Sequence, residues 1–254
     1  MAARVIAVAN QKGGVGKTTT AVSLAAGLGL AERQTLLIDL DPQGNATTGL
    51  GLGEPNTAAN SYTLLLGETP AQEAHVETCV PFLRAIPSSI DLVGAEIELV
   101  SLAARETRLR GAASSVAQAF DFIVIDCPPS LGLLTLNALA AARSVVIPVQ
   151  CEYYAMEGLA HLIKTIDLVR QTLNPELRIE GVLLTMYDGR TSIATQVRAE
   201  IERHFGPQIF KAVIPRNVRL TEAPSHGKPI FLYDMRSPGA VAYLELTAEV
   251  IGNG

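Results

Sequence analysis

Tryptophan is absent from this chain of 254 residues, and aromatic side chains make up only 5 % of it. That scarcity weighs against a β-sandwich filled by large rings and suits alanine-lined helices packed on a sheet. Cysteine is scarce as well. Cys79, Cys127 and Cys151 are widely separated, odd in number and without CxxC spacing, which argues against a zinc or disulfide framework and for a reducing cytoplasm. The four histidines, His75, His161, His204 and His226, share no metal-ligand spacing and no HExxH pattern. No nucleophile set of the Ser-His-Asp or Cys-His kind follows from residue order. No apolar stretch approaches the roughly 20 residues that span a bilayer, and the start of the chain has no space for a cleaved leader, so a soluble, unprocessed protein is expected. A formal charge of −5 argues against a globally basic nucleic-acid binder and leaves room for a local patch.

What is present is a recurring alternation. Apolar runs rich in Val, Ile and Leu occur at 5–9, 35–38, 82–86, 122–125, 144–149, 181–185 and 211–214, most of them separated by helix-length segments. Continuous apolar strands alternating with helices predict an α/β fold, a mainly parallel sheet covered by helices on both faces. Without an internal repeat or a Pro/Gly/Ser linker, residues 1–254 are expected to form a single domain. Ligands in such sheets bind outside the carboxyl ends of the strands, which places the loops after Ala9, Ile38, Ile125 and Ile214 on one edge. Residues 44–60, rich in Gly, Thr and Asn, are expected to form a long surface loop. Arg105, Arg108 and Arg110 fit a solvated helix face better than a binding patch.

Those loops hold the chemistry. Residues 11–19 read Gln-Lys-Gly-Gly-Val-Gly-Lys-Thr-Thr, between an apolar strand and a segment of helical spacing. In a phosphate-binding P-loop, backbone N–H groups wrap the phosphates, a lysine meets the β/γ oxygens and a hydroxyl meets Mg²⁺. Gly16, Lys17 and Thr18 fill the last three positions. The first glycine of the usual pattern falls on Gln11, and a second cation, Lys12, stands at the start of the loop. After the strand at 35–38 come Asp39 and Asp41, which alternation puts on one side of an extended segment. The run 122–125 ends in Asp126 before Cys127-Pro128-Pro129, the form of a Walker B strand whose acid holds Mg²⁺. Pro128, Pro129 and Gly132 make an exit able to switch with the presence of a γ-phosphate.

Residues 12–19, 39–45 and 126–132, together with 94–99, 148–155, 180–185 and 214–228, closely resemble the ParA/Soj family of DNA-partitioning ATPases over nearly the whole chain. The resemblance implies a P-loop NTPase of the deviant Walker A (SIMIBI) type, short form, using ATP/ADP and Mg²⁺. It implies that Gly13, Gly14, Val15 and Gly16 cradle phosphates, that Lys17 binds the β/γ oxygens and that Thr19 reaches the α-phosphate. Thr18, Asp39 and Asp126 would form the magnesium shell, Asp41 would orient the attacking water, and Pro215 with Asn217 would border the adenine. Lys12 would be the signature lysine that reaches the nucleotide of a second subunit in an ATP-bound homodimer. A ParB/Spo0J-type centromere-binding partner and non-specific DNA binding through Arg190, Arg219 and Arg216 are implied too, in a cytoplasmic, nucleoid-associated protein that positions chromosome or plasmid DNA.

Three other readings share parts of this pattern. A MinD-like membrane-cycling ATPase needs a basic amphipathic helix at the carboxyl end, where residues 244–254 carry acids and neither lysine nor arginine. An electron-transfer ATPase like the nitrogenase iron protein needs bridging cysteines for an iron–sulfur cluster, and Cys127 and Cys151 stand in other contexts. A metabolic P-loop synthetase needs a second substrate pocket.

Overall fold

The computed structural model describes residues 3–53, 59–153 and 155–253. Its strands are β1 (Arg4–Val8), β2 (Thr35–Asp39), β3 (Val76–Glu77), β4 (Leu83–Ile86), β5 (Phe122–Asp126), β6 (Ser144–Gln150), β7 (Arg178–Tyr187) and β8 (Ile209–Pro215). They form one sheet in the order β3-β4-β2-β5-β1-β6-β7-β8, parallel throughout except for the short antiparallel β3. Each expected apolar run is a strand, and β3 is the one that the sequence pattern missed. Two residues, intermediate and exposed, carry no periodicity to detect.

The helices are α1 (Lys17–Leu30), α2 (Asn45–Gly49), α3 (Ser61–Leu66), α4 (Ala71–Ala74), α5 (Leu92–Glu98), α6 (Arg108–Val116), α7 (Leu133–Ala141), α8 (Ala155–Thr172), α9 (Ser192–Phe205), α10 (Val218–Glu222), α11 (Ile230–Asp234) and α12 (Pro238–Gly252). They cover both faces. Leu65, Leu92, Leu109, Leu134, Leu159 and Ile201 bury against one side of the sheet, and Leu24, Leu28, Phe231, Tyr243 and Leu246 against the other. The central strands β2, β5 and β1 are buried nearly end to end, as expected of a parallel sheet sheltered on both faces.

Two expectations need correction. Residues 44–60 are more than a surface loop: α2 lies there and its Thr47 is buried, while residues 54–58 lie outside the described residues. Thr47 escapes a count of Gly, Thr and Asn because its burial comes from a bond to an aspartate, not from apolar patterning. The arginines of 105–110 are not a solvated face. Arg108 donates to the carbonyls of Leu65 and Leu66, and Arg110 to those of Ala140 and Leu173, so their guanidinium groups satisfy carbonyls left over at helix ends.

The carboxyl-terminal helix α12 belongs to the core. Tyr243, Leu246 and Val250 are buried, Arg4 donates to the Val250 carbonyl at 2.6 Å, and Glu249 accepts from the Lys211 and Ala212 N–H groups. Among the described residues no helix is long and apolar enough to cross a membrane. Where α12 crosses α1, a Cβ on Gly27 would lie 2.3 Å from Thr247 Oγ1 and 3.2 Å from its Cβ.

Removing glycine from a helix ordinarily stabilises by up to ~1 kcal/mol, yet this overlap outweighs that gain. Gly27→Ala is expected to cost roughly 1–3 kcal/mol in chemical denaturation, and adding Thr247→Ala should recover most of the loss.

Candidate nucleotide and metal site

The register of the parallel strands assembles the site. Val8 is opposite Asp126 across β1 and β5, and Asp39 is opposite Asp126 across β2 and β5. The loops leaving β1, β2 and β5 therefore emerge together, beside the point where strand order reverses around β1.

The loop after β1 turns into α1 through Gly14 and Gly16, whose φ angles are +74° and +88°. Only glycine adopts that left-handed backbone without strain. Gly16 caps α1 without any side-chain acceptor, so the first N–H groups of a helix of 14 residues remain open to an anion. The Val15 carbonyl accepts from the Thr185 hydroxyl at 2.8 Å, tying the loop to β7. At the end of that strand Met186 has φ +47°, a strained turn at the rim of the cleft.

This cleft holds about 810 Å³ and is lined by Gly13, Gly14, Gly16, Lys17, Thr18 and Thr19, with Asp41 and Pro129 on one side. Pro215, Arg216 and Asn217 line the other, together with Lys228 and Tyr243. Pro215 and Asn217, for which the resemblance implies an adenine contact, thus line the same cleft as the phosphate loop. Asn217 also caps α10 by accepting from the Arg219 N–H at 2.8 Å.

Beneath the cleft the two aspartates differ. Asp39 accepts from the Thr47 N–H and hydroxyl, both at 2.8 Å, and from the Asp41 N–H at 3.1 Å. Burial nevertheless pushes its carboxyl up to about 6, against the opposing pull of those bonds. Asp126 is fully buried, and neither carboxylate oxygen meets a donor at hydrogen-bonding geometry. Burial raises its pKa first and the neighbouring Asp39 second, while the Thr18 hydroxyl and the Lys17 ammonium pull it down. An orphaned buried carboxylate beside a threonine hydroxyl and a second carboxylate is an all-oxygen donor set that suits a hard divalent cation. The residues present fit Mg²⁺.

Asp41 is buried at the cleft wall, with its side chain accepting from the Gln43 N–H at 3.0 Å and its carbonyl from the Ser88 hydroxyl at 2.5 Å. The loop is thereby held from two sides. Ser88 and Thr47 carry this geometry and have no motif of their own.

The two lysines of the loop diverge. Lys17 is buried at the cleft, donating to the Lys12 carbonyl at 3.0 Å. Burial lowers its pKa, and Asp126 and Asp41 offset part of that shift. Lys12 does not line the cleft. Its ammonium lies at the exposed rim, 2.7 Å from Glu152 Oε2. Cys127 is buried and its thiol is raised far out of the reactive range by burial, so it packs and does not react.

Of the arginines expected at a DNA surface, Arg216 lines the cleft, and Arg190 and Arg219 do not. Arg190 is fully outside the cleft and doubly bonded to Asp188, at 2.8 and 2.6 Å. Arg216 lies close enough to Asp188 to help hold that carboxyl down. Arg219 pairs with Glu222 at 2.8 Å and with Asp234 at 3.5 Å.

A model of an AAA domain matches residues 3–179. The chain is 57 % identical over 248 residues to the chromosome partitioning protein ParA of Myxococcus xanthus, covering 98 % of this chain and 88 % of that protein. It is 55 % identical over 251 residues to the sporulation initiation inhibitor protein Soj of Bacillus subtilis, covering 99 % of each. Among solved structures it is similar to cobyrinic acid a,c-diamide synthase from Mycobacterium smegmatis with bound ATP analogue and magnesium, at a TM-score of 0.85 and 39 % identity over 97 % of this chain and 93 % of that one.

The raised carboxyl of Asp39 has a consequence for stability. Its ionised form is costlier in the folded chain than in the unfolded one, so its contribution is fully present below about pH 4 and is lost as pH rises through about 6. Relative to Asp39→Asn, the protein without nucleotide or metal should lose up to about 3 kcal/mol across that window. Denaturant titrations of both proteins at pH 4 and pH 7 measure the difference.

Proposed function

We propose that this chain, which belongs to the ParA/Soj family of chromosome-partitioning ATPases, works as a homodimeric switch closed by ATP and opened by its hydrolysis. The observation that carries the proposal is the divergence of the two lysines. Lys17 serves the cleft of its own subunit, while Lys12 stands at the rim with its ammonium outside that cleft. A cation so placed is available to a triphosphate presented by a second subunit. Two triphosphates facing each other repel, and a lysine from each subunit offsets that repulsion and the charge that grows during phosphoryl transfer.

Within one subunit the roles are those that the family resemblance implies, and the lining of the cleft by Gly13, Gly14, Gly16, Lys17, Thr18, Thr19 and Asp41 supports them. The N–H groups of residues 13–16 and the start of α1 hold the phosphates, Lys17 meets the β/γ oxygens, and Thr19 reaches the α-phosphate. Thr18, Asp39 and Asp126 would hold Mg²⁺, which when bound would supply positive charge to offset that of the phosphates. Asp41 orients a water for attack on the γ-phosphorus. The new bond is from the water oxygen to phosphorus, the bond to the β–γ bridging oxygen breaks, and ADP and phosphate leave. Loss of the γ-phosphate removes the group that both subunits contact, so the dimer opens.

In this proposal the closed dimer binds double-stranded DNA without sequence preference through Arg190, Arg216 and Arg219, associates with the nucleoid, and moves chromosome or plasmid DNA with a ParB/Spo0J-type partner. The membrane-cycling alternative has less to stand on, since α12 buries Tyr243, Leu246 and Val250 in the core and carries Glu245 and Glu249 with no lysine or arginine.

Sedimentation with ADP, ATP and a non-hydrolysable analogue tests the switch. Lys17→Ala should lose ATP binding. Lys12→Ala should bind ATP yet remain monomeric, and Asp41→Ala should bind ATP, lose roughly a hundredfold or more in turnover and stay dimeric. Intact dimerisation and hydrolysis in Lys12→Ala would refute the sandwich. Arg190→Glu should weaken DNA retention at low salt and leave the ATP dimer unchanged, because phosphate contacts act through counterion release; full retention would remove Arg190 from the surface.

A further inference from the structure

An apolar stripe on the protein surface has no use in the roles above. Ile90, Val93, Ile97 and Val100 are 66, 60, 78 and 56 % exposed, while Leu92, Ala95 and Leu99 on the opposite side of the same segment are buried. The helical turns begin at Ser89, whose carbonyl accepts from the Leu92 N–H, and continue through α5. At 100° per residue the four exposed side chains fall within about 80° of arc. Four branched aliphatic groups on one line make a contiguous patch, the kind of surface that marks an interaction site.

The stripe adjoins the nucleotide edge. Ser88, just before it, donates to the Asp41 carbonyl. Glu96, between Val93 and Ile97 in sequence, is seated against the loop that follows Asp126: a Cβ on Gly132 would lie 2.0 Å from Glu96 Oε1, and that oxygen is buried without a hydrogen-bond partner. The segment that carries the stripe is therefore in contact with both the Asp41 loop and the loop after Asp126.

The spacing of the stripe identifies its occupant. Steps of three, four and three residues are the same read in either direction. Two copies crossed antiparallel about a two-fold axis set Ile90 opposite Val100 of the second copy and Val93 opposite its Ile97. The charges agree with this register. Exposed Asp91 lies at one end of the stripe, and at the other Arg105 is held through Nη1 on the Val100 carbonyl at 3.1 Å and through Nε on Glu106 Oε1 at 2.8 Å. The two-fold brings each Arg105 toward Asp91 of the other copy, the self-complementarity an isologous interface requires.

We infer that this stripe is the apolar part of the interface with a second copy of the chain, α5 against α5 in antiparallel register. The inference rests on the ATP-sandwich reading and adds to it the surface that closes. Four side chains offer on the order of a few hundred Å², short of the ~800 Å² per partner of a stable interface. The stripe alone does not hold two subunits together. It adds to the facing nucleotides and Lys12, which keeps association dependent on ATP.

The test uses the Asp41→Ala chain with ATP and Mg²⁺ in sedimentation velocity. Val93→Glu and Ile97→Lys, each at an exposed position, should separately weaken its dimer by roughly tenfold or more and leave affinity for a fluorescent ATP analogue unchanged. Mixing the two variants should restore the dimer. The mixed pair sets the introduced carboxylate against the introduced ammonium on one side of the two-fold and keeps the native pair on the other. Single variants that dimerise as tightly as the Asp41→Ala parent would overturn the inference and leave the sandwich standing. Weakened singles with no recovery on mixing would overturn the antiparallel register. An Asp41→Ala parent that stays monomeric with ATP would bring down the sandwich reading, and this inference with it.

Discussion

Asp39 and Asp126 stand side by side because β2 and β5 are parallel neighbours in register, and both are buried. Strands run about 4.8 Å apart, and two carboxylates at such a separation repel by on the order of a few kcal/mol at an effective dielectric of ~20. Thr47 and the Asp41 N–H compensate Asp39, and Lys17 with Thr18 compensates Asp126 only in part. The protein alone therefore leaves negative charge at the floor of the cleft and open N–H groups on its wall. A divalent cation answers the first and a polyphosphate the second, and each strengthens the other's binding because they attract one another. The low-dielectric core that makes this arrangement costly is the same core that holds the strands in register.

A parallel sheet makes that concentration of function unavoidable. All central strands deliver their carboxyl ends to one edge, so the loops after β1, β2, β5 and β8 meet without any long-range device. The covering helices then fix the loops. Ser88 holds Asp41 from the β4 side, Thr185 holds the P-loop from the β7 side, and both bonds would be disturbed by a shift of either strand. Changes in the loops are thus felt across the edge, while the opposite ends of the strands are closed by Arg4 on the Val250 carbonyl and by Glu249 on the Lys211 and Ala212 N–H groups.

The strands and the acids at their ends were legible because both leave a pattern: apolar runs for burial on two faces, and an aspartate where the run stops. The P-loop was legible because its glycines have no substitute at positive φ. Thr47, Ser88 and Glu152 were not, since they act through hydrogen bonds or an ion pair to residues outside their own segment, and nothing in their own neighbourhood distinguishes them from surface residues. The arginines of 105–110 misled for a related reason. A run of charge looks like a solvated face, but guanidinium groups are long enough to reach carbonyls on α3, on α7 and just past the end of α8, and their stems cover apolar surface on the way. The strand at 76–77 lay below the length at which alternation can be seen.

The ion pair between Lys12 and Glu152 bears on how readily a two-subunit switch could close. Both side chains are partly exposed, 34 and 49 %, and pairs of that kind contribute ~0–1 kcal/mol. An ammonium so weakly held is free to exchange its partner. A triphosphate carries several times the charge of a glutamate, and in a closed interface water is excluded from around it, which strengthens each contact. In the proposed dimer Lys12 would therefore leave Glu152 for the second subunit's nucleotide with a net gain, whereas ADP, lacking the γ-phosphate, offers it less. Lys17 has no such choice, because it is buried between Asp126 and the backbone of its own loop. Two lysines five residues apart thus differ in function because one is enclosed and the other stands at the rim.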